Sequence, residues 1–468
     1  VQDTFTEDTA LRISVEFTDE TVSVCLMKQG EEKESGASVI NYAERKETKN
    51  RLKRQLYQLL CAYTGQTLPW GTLTGIRPAK IAMGLIEQGM SNVETAEYMR
   101  NTYLASKEKV ALSVMIANRE RYVLRNIDYK DGYSLYVGIP FCPSICLYCS
   151  FSSYPLERWR KQVDQYLDAL CKELDYVADR FRDKKLNTVY IGGGTPTTLE
   201  PYQLDRLLTR IQSKFDTEHL QEFTVEAGRP DCTDEEKLRI IKEYGATRIS
   251  INPQTFSDEV LRNIGRRHTA QDILDCYRTA RRVGHDNINM DLIAGLPGDM
   301  VEGFRHSLQT AIDLDPENIT VHTLTLKRAS NLVVEHRAAD YADVAAMVES
   351  CELLEKAGYR PYYLYRQKGT LQNLENVGWC KPGYECLYNI YIMEEVHTIL
   401  SAGAGGSTKL VAPGARHGKI ERIFNYKYPT EYIDRFDTIL ARKEGVKQFY
   451  DQYPSCGESA RPQAHGGV

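Results

Sequence analysis

The chain has 468 residues, of which 42% are hydrophobic and 26% are charged, so it is long enough for two or three domains. Its net charge of −5 gives no global basic field of the kind that attracts nucleic acid or an anionic membrane. No apolar run reaches the roughly 20 residues of a membrane-spanning helix, and the opening VQDTFTEDTA lacks the features of a secretion signal. Twelve cysteines spread along the chain favour a cytoplasmic protein with reduced thiols.

The N-terminal part, residues 1–128, is predicted to be an accessory α+β domain. Alternating apolar and polar residues in LRISVEFTDETVSVCLMK, residues 11–28, predict a hairpin with a turn at TDET. The pattern then predicts a charged helical stretch. From NRLKRQLYQLL onward, apolar residues recur at helical spacing, and further helices are expected to about residue 126.

Six short β-rich segments alternate with helix-length sequence over residues 129–330. They are YSLYVGI (133–139), NTVYIGG (187–193), EFTVEA (222–227), ATRISIN (246–252), NINMDLIAG (287–295) and NITVHTL (318–324). Strands that are each followed by a helix imply parallel βα units with right-handed crossovers. Because a closed TIM barrel has eight strands, six predict an open, partial α/β barrel with its chemistry at the C-terminal ends of the strands.

Residues 331–450 are predicted to form an α/β C-terminal extension that closes the active site. Within it, residues 341–358 predict one helix, YRPYYLYRQ a strand, and NLENVGWCKPGYECLYN an irregular loop. Within that loop, Pro382, Gly383, Glu385, Cys386 and Asn389 match a segment of the family whose resemblance is given below, and that resemblance implies a lid at the mouth of the site. The final residues, 451–468, are small, polar and rich in Pro and Gly, which indicates a disordered tail.

Three cysteines follow the first predicted barrel strand at the spacing C-x3-C-x2-C. They are Cys142, Cys146 and Cys149 in IPFCPSICLYCSF, residues 139–151. A structural zinc normally has four ligands, and a disulfide would leave an odd thiol, so both alternatives match this spacing poorly. Three thiolates instead suit a [4Fe–4S] cluster with one open iron.

This cysteine pattern, with the aromatic Tyr148 before the last cysteine, resembles the radical S-adenosylmethionine (SAM) superfamily. The resemblance implies a (β/α)6 partial barrel, a [4Fe–4S] cluster held by the three cysteines, and SAM bound at the open iron. In that superfamily, reduction of the cluster cleaves SAM to a 5′-deoxyadenosyl radical. The turn GGGTP after the second strand resembles the SAM-binding turn of the superfamily.

More specifically, residues 133–410 resemble the oxygen-independent coproporphyrinogen III oxidases, also called coproporphyrinogen dehydrogenases, and PWGTLTGIRPAK resembles the extension of HemZ-like members. The motifs that carry this resemblance are LYVGIPFC, GGGTP, FTVEAGRP, RISINPQTF, IGRRH and NMDLIAGLPG. The SAM contacts that it implies are Tyr136, Gly193, Gly194, Thr195, Glu226, Gln254, Arg266 and Asp291. Such carboxylates and amides can bond ribose hydroxyls, and an arginine can bind a carboxylate with two hydrogen bonds.

The resemblance implies the conversion of coproporphyrinogen III to protoporphyrinogen IX, with a reductant such as flavodoxin or ferredoxin. Two alternatives stay open: radical SAM chemistry on another tetrapyrrole, such as haem methylation or ring opening, and a haem-binding chaperone with a regulatory cluster. The oxidases often have a fourth cysteine where this chain has Phe151, and the chaperone motif C-x-H-N has Tyr388 in place of its histidine. Candidates for binding substrate carboxylates are Lys327, Arg328, Arg366, Lys368 and Lys381.

Overall fold

The computed structural model describes residues 11–75, 77–327, 330–334, 343–413 and 418–453. These residues form two compact units: one holds the chain up to Asn118 together with Gln372–Leu374, and the other holds the remainder. The domain boundaries predicted at residues 128, 330 and 450 stay predictions. Of the predicted tail, residues 451–453 are described, with 451 and 452 ending a helix, and the rest lies outside the described residues. Within these ranges, no helix combines the length and the apolar character needed to cross a membrane.

The first unit contains a three-stranded antiparallel sheet. Its strands are β1 (Arg12–Phe17), β2 (Thr21–Lys28) and β3 (Glu31–Val39), in that order. Its helices are α1 (Arg45–Thr64), α2 (Pro78–Glu87), α3 (Asn92–Tyr103) and the part of α4 (Lys107–Val123) up to Asn118. The predicted hairpin is confirmed as β1 and β2. The charged helical stretch predicted here is wrong over residues 31–39, because β3 pairs with β2 along its length. From Glu34 onward alternate residues of β3 are half-buried, while Glu31, Glu32 and Lys33 are exposed.

The second unit is built on an eleven-stranded sheet. Its strands, together with the separate pair β5 and β6, are β4 (Gly132–Ile139), β5 (Phe141–Cys142), β6 (Tyr154–Pro155), β7 (Lys185–Gly193), β8 (Glu222–Glu226), β9 (Arg248–Ser250), β10 (Ile288–Ala294), β11 (Asn318–Thr323), β12 (Arg360–Arg366), β13 (Glu375–Cys380), β14 (Thr398–Ala402), β15 (Ser407–Val411) and β16 (Ile420–Phe424). The order in the sheet is β12-β13-β11-β10-β9-β8-β7-β4-β14-β15-β16.

All six predicted barrel strands are present as the parallel series β4, β7, β8, β9, β10 and β11, which confirms the open (β/α)6 barrel. A seventh parallel strand, β14, flanks β4, and antiparallel strands extend both ends of the series. The strand predicted at YRPYYLYRQ is confirmed as β12. The irregular loop predicted at 373–389 is wrong, because six fully buried residues in it form β13 between β11 and β12.

Helices connect the strands of the second unit. They are α5 (Leu156–Trp159), α6 (Val163–Arg180), α7 (Pro201–Lys214), α8 (Glu235–Glu243), α9 (Asp258–Asn263), α10 (Ala270–Val283), α11 (Val301–Asp313), α12 (Asn331–Val334), α13 (Val344–Glu349), α14 (Glu352–Lys356), α15 (Leu387–Glu394), α16 (Pro429–Asp434) and α17 (Phe436–Gln452). Leu167, Leu170 and Leu174 on one face of α6 are buried, as expected of a helix that covers a parallel sheet. The single helix predicted over 341–358 is wrong. Its described part breaks between α13 and α14, where the Ser350 hydroxyl bonds the Ala346 carbonyl and competes with the helical pattern.

Candidate functional site

The cysteine loop follows the C-terminal end of β4, the edge of a parallel barrel where ligands bind. Cys146 is buried and Cys142 and Cys149 are half-buried, and all three are free thiols. The Thr195 hydroxyl lies 3.6 Å from the Cys142 sulfur, and the Arg229 guanidinium lies 3.6 Å from the Cys146 sulfur. The Ser153 hydroxyl lies 3.9 Å from the Cys149 sulfur, so each of the three sulfurs has a hydrogen-bonding group beside it.

Backbone and side-chain bonds hold this loop against the loop that follows α9. The Leu147 amide donates to the Ile264 carbonyl at 3.0 Å, and the Ser144 hydroxyl donates to the Gly265 carbonyl at 3.0 Å. Gly265 has a φ of +81°, and a Cβ there would lie 3.4 Å from the Ile145 carbonyl oxygen. The cysteines are thus presented by a loop that the barrel itself fixes in place.

The donor set fits an iron–sulfur cluster. Three free thiols lie on one fixed loop, and an O–H and an N–H point at two sulfurs, which is the kind of hydrogen bonding that surrounds cluster ligands. Burial raises the pKa of the Cys142 thiol to about 12, so that metal binding there must displace a proton. As the side chains stand, no group of three or more His, Cys, Asp or Glu within the described ranges could hold a metal ion. The roles of Cys142, Cys146 and Cys149 as cluster ligands stay predictions.

The glycine turn at the end of β7 has no room for side chains. A Cβ on Gly192 would lie 2.9 Å from the Glu226 carboxylate, and one on Gly194 would lie 2.5 Å from the Phe141 carbonyl oxygen. Gly193 has a φ of +113°, a conformation that other residues rarely adopt. The turn therefore brings the backbone of β7 close to the cysteine loop and to the end of β8.

Glu226 ends β8 and accepts a hydrogen bond of 2.6 Å from the Tyr190 hydroxyl. The pKa of Glu226 is raised to about 7, because burial and the charge of the Asp291 carboxylate outweigh the opposing hydrogen bond from Tyr190. The two predicted SAM-binding acids are thus electrostatic neighbours. Near neutral pH, a substantial fraction of Glu226 holds a proton in the unliganded protein.

Asp291 on β10 has the opposite behaviour. Burial alone would raise its pKa, but its contacts with His322 and Asn289 lower the pKa below its ordinary value. The Asn289 amide donates to Asp291 at 2.8 Å, and His322 Nε2 lies 3.7 Å from the other carboxylate oxygen. His322 also lies 3.3 Å from the Tyr365 hydroxyl. The sequence reasoning did not single out His322, although its place near the end of NITVHTL was a usable signal.

Gln254 has a strained backbone with a φ of +67°. Its amide donates to the Asp291 carbonyl at 2.8 Å, and its own carbonyl accepts from Ile293 at 3.0 Å. Strain of this kind persists only where neighbouring structure imposes it, and it concentrates at functional sites. The side-chain oxygen of Gln254 is buried without a hydrogen-bond partner in the described structure. A ligand hydroxyl or amine would satisfy it, as the proposed SAM contact requires.

Arg266 is buried behind the cysteine loop. It donates to the Asn252 carbonyl at 2.5 Å and to the Tyr148 hydroxyl at 3.3 Å. Its Nε and the side-chain oxygen of Asn252 are buried without partners in the described ranges. The Arg266 Nε and the Asn252 oxygen are therefore two more polar groups near the loop that a ligand or water would satisfy.

Three tyrosine rings form a wall inside the barrel, below Glu226. Tyr190 stacks on Tyr388 with ring centroids 4.4 Å apart, and Tyr136 stacks on Tyr190 at 6.2 Å. Burial raises the pKa of all three hydroxyls, so they stay protonated. The wall offers flat apolar surface of the kind that packs against planar ligands.

The structure thus brings the predicted SAM contacts together around the C-terminal ends of the strands. Tyr136, Gly193, Gly194, Thr195, Glu226, Gln254 and Asp291 lie on or directly after β4, β7, β8, β9 and β10, and Arg266 joins them through Tyr148. Their roles as SAM ligands stay predictions.

The candidates for binding substrate carboxylates divide between the two ends of the barrel. Lys327, after β11, and Arg366 and Lys368, at the end of β12, lie at the same edge as the cysteine loop. Arg328 lies outside the described residues. The prediction that Lys381 binds substrate is wrong. Because β13 runs antiparallel to β11, Lys381 lies at the N-terminal end of the barrel strands, where it bonds Asp315.

The predicted lid is also wrong for the loop after Lys381. The Tyr384 carbonyl accepts from Arg248 at 2.7 Å and from Asn318 at 3.0 Å, and these are the first residues of β9 and β11. The loop therefore lies at the opposite end of the barrel from the cysteines. The closing role predicted for the C-terminal extension as a whole stays a prediction.

Comparison with known proteins agrees with this site. The model of the radical SAM superfamily matches residues 136–311. The chain is 42% identical over 406 residues to the oxygen-independent coproporphyrinogen-III oxidase-like protein HemZ of Bacillus subtilis (strain 168), covering 85% of this chain and 81% of that protein. It is 41% identical over 336 residues to the haem chaperone HemW of the same organism, covering 70% and 85%.

Among solved structures, coproporphyrinogen III oxidase (HemN) from Escherichia coli, described as a radical SAM enzyme, matches with a TM-score of 0.54 and 22% identity. The match covers 68% of this chain and 72% of that one, and at this identity it speaks for the fold. Fold, cysteine loop and superfamily match together define a radical SAM protein. Within that class, the chain belongs to the HemZ-like family of oxygen-independent coproporphyrinogen-III oxidase-like proteins, which confirms the resemblance drawn from its motifs.

Proposed function

We propose that the protein is an oxygen-independent coproporphyrinogen III dehydrogenase. In this reaction, propionate side chains of coproporphyrinogen III each lose a hydrogen atom, CO2 and one electron, which passes to an electron acceptor, and vinyl groups remain, so that protoporphyrinogen IX is formed for haem biosynthesis. The bound [4Fe–4S] cluster and SAM would supply the radical that removes a hydrogen atom from the propionate. The names of two similar proteins, HemZ and HemN, support this substrate.

Each part of the site has a role in the proposal. Cys142, Cys146 and Cys149 hold the cluster, and the Gly193 turn admits SAM close to the backbone. Gln254 and the acids at the strand ends bond the polar groups of SAM. The tyrosine wall excludes water from the apolar side of the site, which protects a reactive intermediate from side reactions.

One observation carries the proposal of an enzyme that binds SAM. The Gln254 side-chain oxygen is buried, unpartnered in the described structure, and held by a strained backbone next to Asp291. Without a ligand here, the unpartnered acceptor and the strained backbone would both destabilise the folded protein. Bound SAM would offset both.

A haem chaperone is the second candidate, favoured by the 41% identity to HemW. The chaperone motif C-x-H-N would place a histidine at position 388, where this chain has a tyrosine. Tyr388 is buried and stacked on Tyr190, so this position offers no imidazole to haem iron. Radical chemistry on another tetrapyrrole is the remaining alternative, because Phe151 replaces a fourth cysteine and is 78% exposed.

The test is an anaerobic incubation of the reconstituted protein with dithionite, SAM and coproporphyrinogen III. We expect 5′-deoxyadenosine together with the vinyl product, measured by chromatography and mass spectrometry. Deoxyadenosine without decarboxylation would point to another tetrapyrrole, and tight haem binding without SAM cleavage would point to the chaperone. Cys146→Ala is the control: if it still assembled a full cluster and cleaved SAM, the assignment of the cysteines would be wrong.

A further inference from the structure

Arg229 lies on the loop after β8 and is almost completely buried, with 4% of its side chain exposed. Its Nε and Nη2 donate to the two carboxylate oxygens of Asp231 at 2.9 and 2.7 Å. This two-point bond fixes the plane of the guanidinium. The side chain is therefore a rigid donor with its remaining N–H groups directed elsewhere.

Those remaining groups are directed at the cysteine loop. Nη1 lies 3.6 Å from the Cys146 sulfur and donates to the Ser144 carbonyl at 3.3 Å, while Nη2 donates to the Ser144 hydroxyl at 3.0 Å. One guanidinium thus bonds the loop backbone and a cysteine sulfur together. Among the described contacts, it is the cationic donor nearest to that sulfur.

A further side chain supports Asp231 from behind. His268 Nδ1 lies 3.4 Å from an Asp231 oxygen, and 1% of the histidine side chain is exposed. Burial alone would lower the pKa of Arg229, but the bond to Asp231 outweighs burial and holds the pKa above its ordinary value, so Arg229 stays cationic. The chain of contacts from His268 through Asp231 to Arg229 ends at Cys146. The motifs FTVEAGRP and IGRRH contain Arg229 and His268, but the sequence analysis gave neither residue a role.

We propose that Arg229 is a positioning residue that orients Cys146 and makes the bound cluster easier to reduce. The proposal rests on the proposed function, because it requires the cluster. An N–H directed at a ligand sulfur and a buried positive charge both stabilise the more negative, reduced state of a cluster. A reductant would then transfer its electron more readily than to a cluster without this contact.

The experiment compares the reduction potential of the reconstituted cluster in four proteins. Arg229→Gln removes the charge, and Arg229→Lys keeps the charge but cannot bond Asp231 and the cysteine loop with one planar group. The matched control is Arg248→Gln, which removes an equally buried arginine that contacts Glu222 and Tyr384 at the other end of the barrel. Iron and sulfide content are measured first, and an anaerobic redox titration followed by electron paramagnetic resonance gives the potential.

We expect Arg229→Gln to shift the midpoint potential to a lower value, Arg229→Lys to shift it less, and Arg248→Gln to leave it unchanged. Wild-type potentials in fully loaded Arg229 variants would overturn the proposal, and so would an equal shift in Arg248→Gln. If Arg229→Gln does not fold, the fully loaded lysine variant decides by the same comparison. A wild-type protein that binds no cluster would instead refute the proposed function.

Discussion

At the scale of single residues, the site separates two carboxylates by their surroundings. Glu226 is buried near the Asp291 carboxylate and has one hydroxyl donor, Tyr190, and together these surroundings raise its pKa to about 7. Asp291 has an amide donor and a nearby histidine, which lower its pKa despite its burial. Two acids, at the end of β8 and in the middle of β10, thus favour different protonation states, a pattern typical of functional sites.

The raised pKa of Glu226 predicts a pH-dependent stability. The ordinary value is 4.5 and the folded value about 7, so the folded state binds more protons between these values and loses stability as pH rises through this window. In the protein without cofactors, we expect the free energy of unfolding, relative to Glu226→Gln, to fall by about 3 kcal/mol from pH 4 to pH 8. Urea unfolding at a series of pH values measures this. A difference that does not change with pH would contradict the assigned pKa.

The close approach at Gly192 predicts that Gly192→Ala weakens SAM binding. Its Cβ would lie 2.8 Å from the Tyr190 ring and 2.9 Å from the Glu226 carboxylate, so that both side chains must move, and overpacking of this kind costs about 1–3 kcal/mol. We expect SAM affinity, measured by equilibrium dialysis of the reconstituted protein, to fall about tenfold or more. Gly84→Ala is the control, because nothing lies within 4 Å of the added Cβ. Equal loss in both variants would refute the steric reason.

Some features of the candidate site could be predicted from the sequence, and others could not. The cysteine spacing and the acids at strand ends were predictable, because strand ends converge in a parallel barrel. Gln254 was placed by resemblance, but its strained φ depends on hydrogen bonds to β10, a strand distant in sequence. The contact of Arg229 with Cys146 joins residues 83 positions apart, and no local pattern reports such a pairing.

At the scale of elements, the spacing of apolar residues and the local composition predicted the buried parallel strands well, because such strands are continuous apolar runs. They failed for β3 and β13. The sequence of β3 is charged, and pairing with β2 alone makes it a strand. Strand β13 contains Gly378 and Asn376, which are poor strand formers, yet it is held by partners on both sides. In both cases tertiary pairing decided the structure.

Helix α15 is capped by a side chain from another element. The Glu222 carboxylate, at the start of β8, accepts from the amides of Leu387 and Tyr388 at 2.9 and 3.1 Å. These amides belong to the first turn of α15, where a helix lacks internal acceptors and favours negative charge. Because Tyr388 belongs to the tyrosine wall, this cap connects the far end of the barrel to the wall.

We therefore expect Glu222→Gln to destabilise the protein by about 1–3 kcal/mol, the usual effect of weakening a charged hydrogen bond at a buried site. Hydrogen exchange followed by mass spectrometry should show faster exchange in residues 387–394. Glu243→Gln on the exposed face of α8 is the matched control and should leave that segment unchanged. Unchanged exchange in Glu222→Gln would show that α15 does not depend on the cap.

At the scale of the second unit as a whole, a buried ion pair ties its C-terminal helix to the barrel. Lys443 on α17 lies 3.0 Å from Glu173 on α6, and both side chains are at most 2% exposed. Glu173 also accepts from the Gly403 amide and the Asn425 side chain, each at 2.8 Å. The network thus joins α6, α17 and the turn after β14, which follows a strand paired with β4.

Removing one partner of this pair should be costly. Lys443→Met leaves Glu173 charged in the interior, and we expect a loss of about 3–5 kcal/mol in the free energy of unfolding. The double variant Glu173→Gln with Lys443→Met should recover part of that loss, since no charge is then buried. Glu444→Gln, in an exposed pair with Arg180, should leave stability nearly unchanged, because solvent screens exposed pairs. Urea unfolding measures all of them, and a loss below 1 kcal/mol in Lys443→Met would refute the role of the network.

The backbone bonds of Gln254 have a consequence for how ligand binding is distributed. Gln254 is bonded through its amide to the Asp291 carbonyl and through its carbonyl to Ile293, so its main chain is attached to β10 on either side of Leu292. A ligand that displaces the main chain of Gln254 therefore also displaces the main chain of β10 at Asp291. The effects of Gln254→Ala and Asp291→Asn on SAM affinity should therefore be non-additive, with a coupling of about 0.5 kcal/mol or more in a double-mutant cycle. Selection would then act on the pair as one inherited unit rather than on two separate contacts.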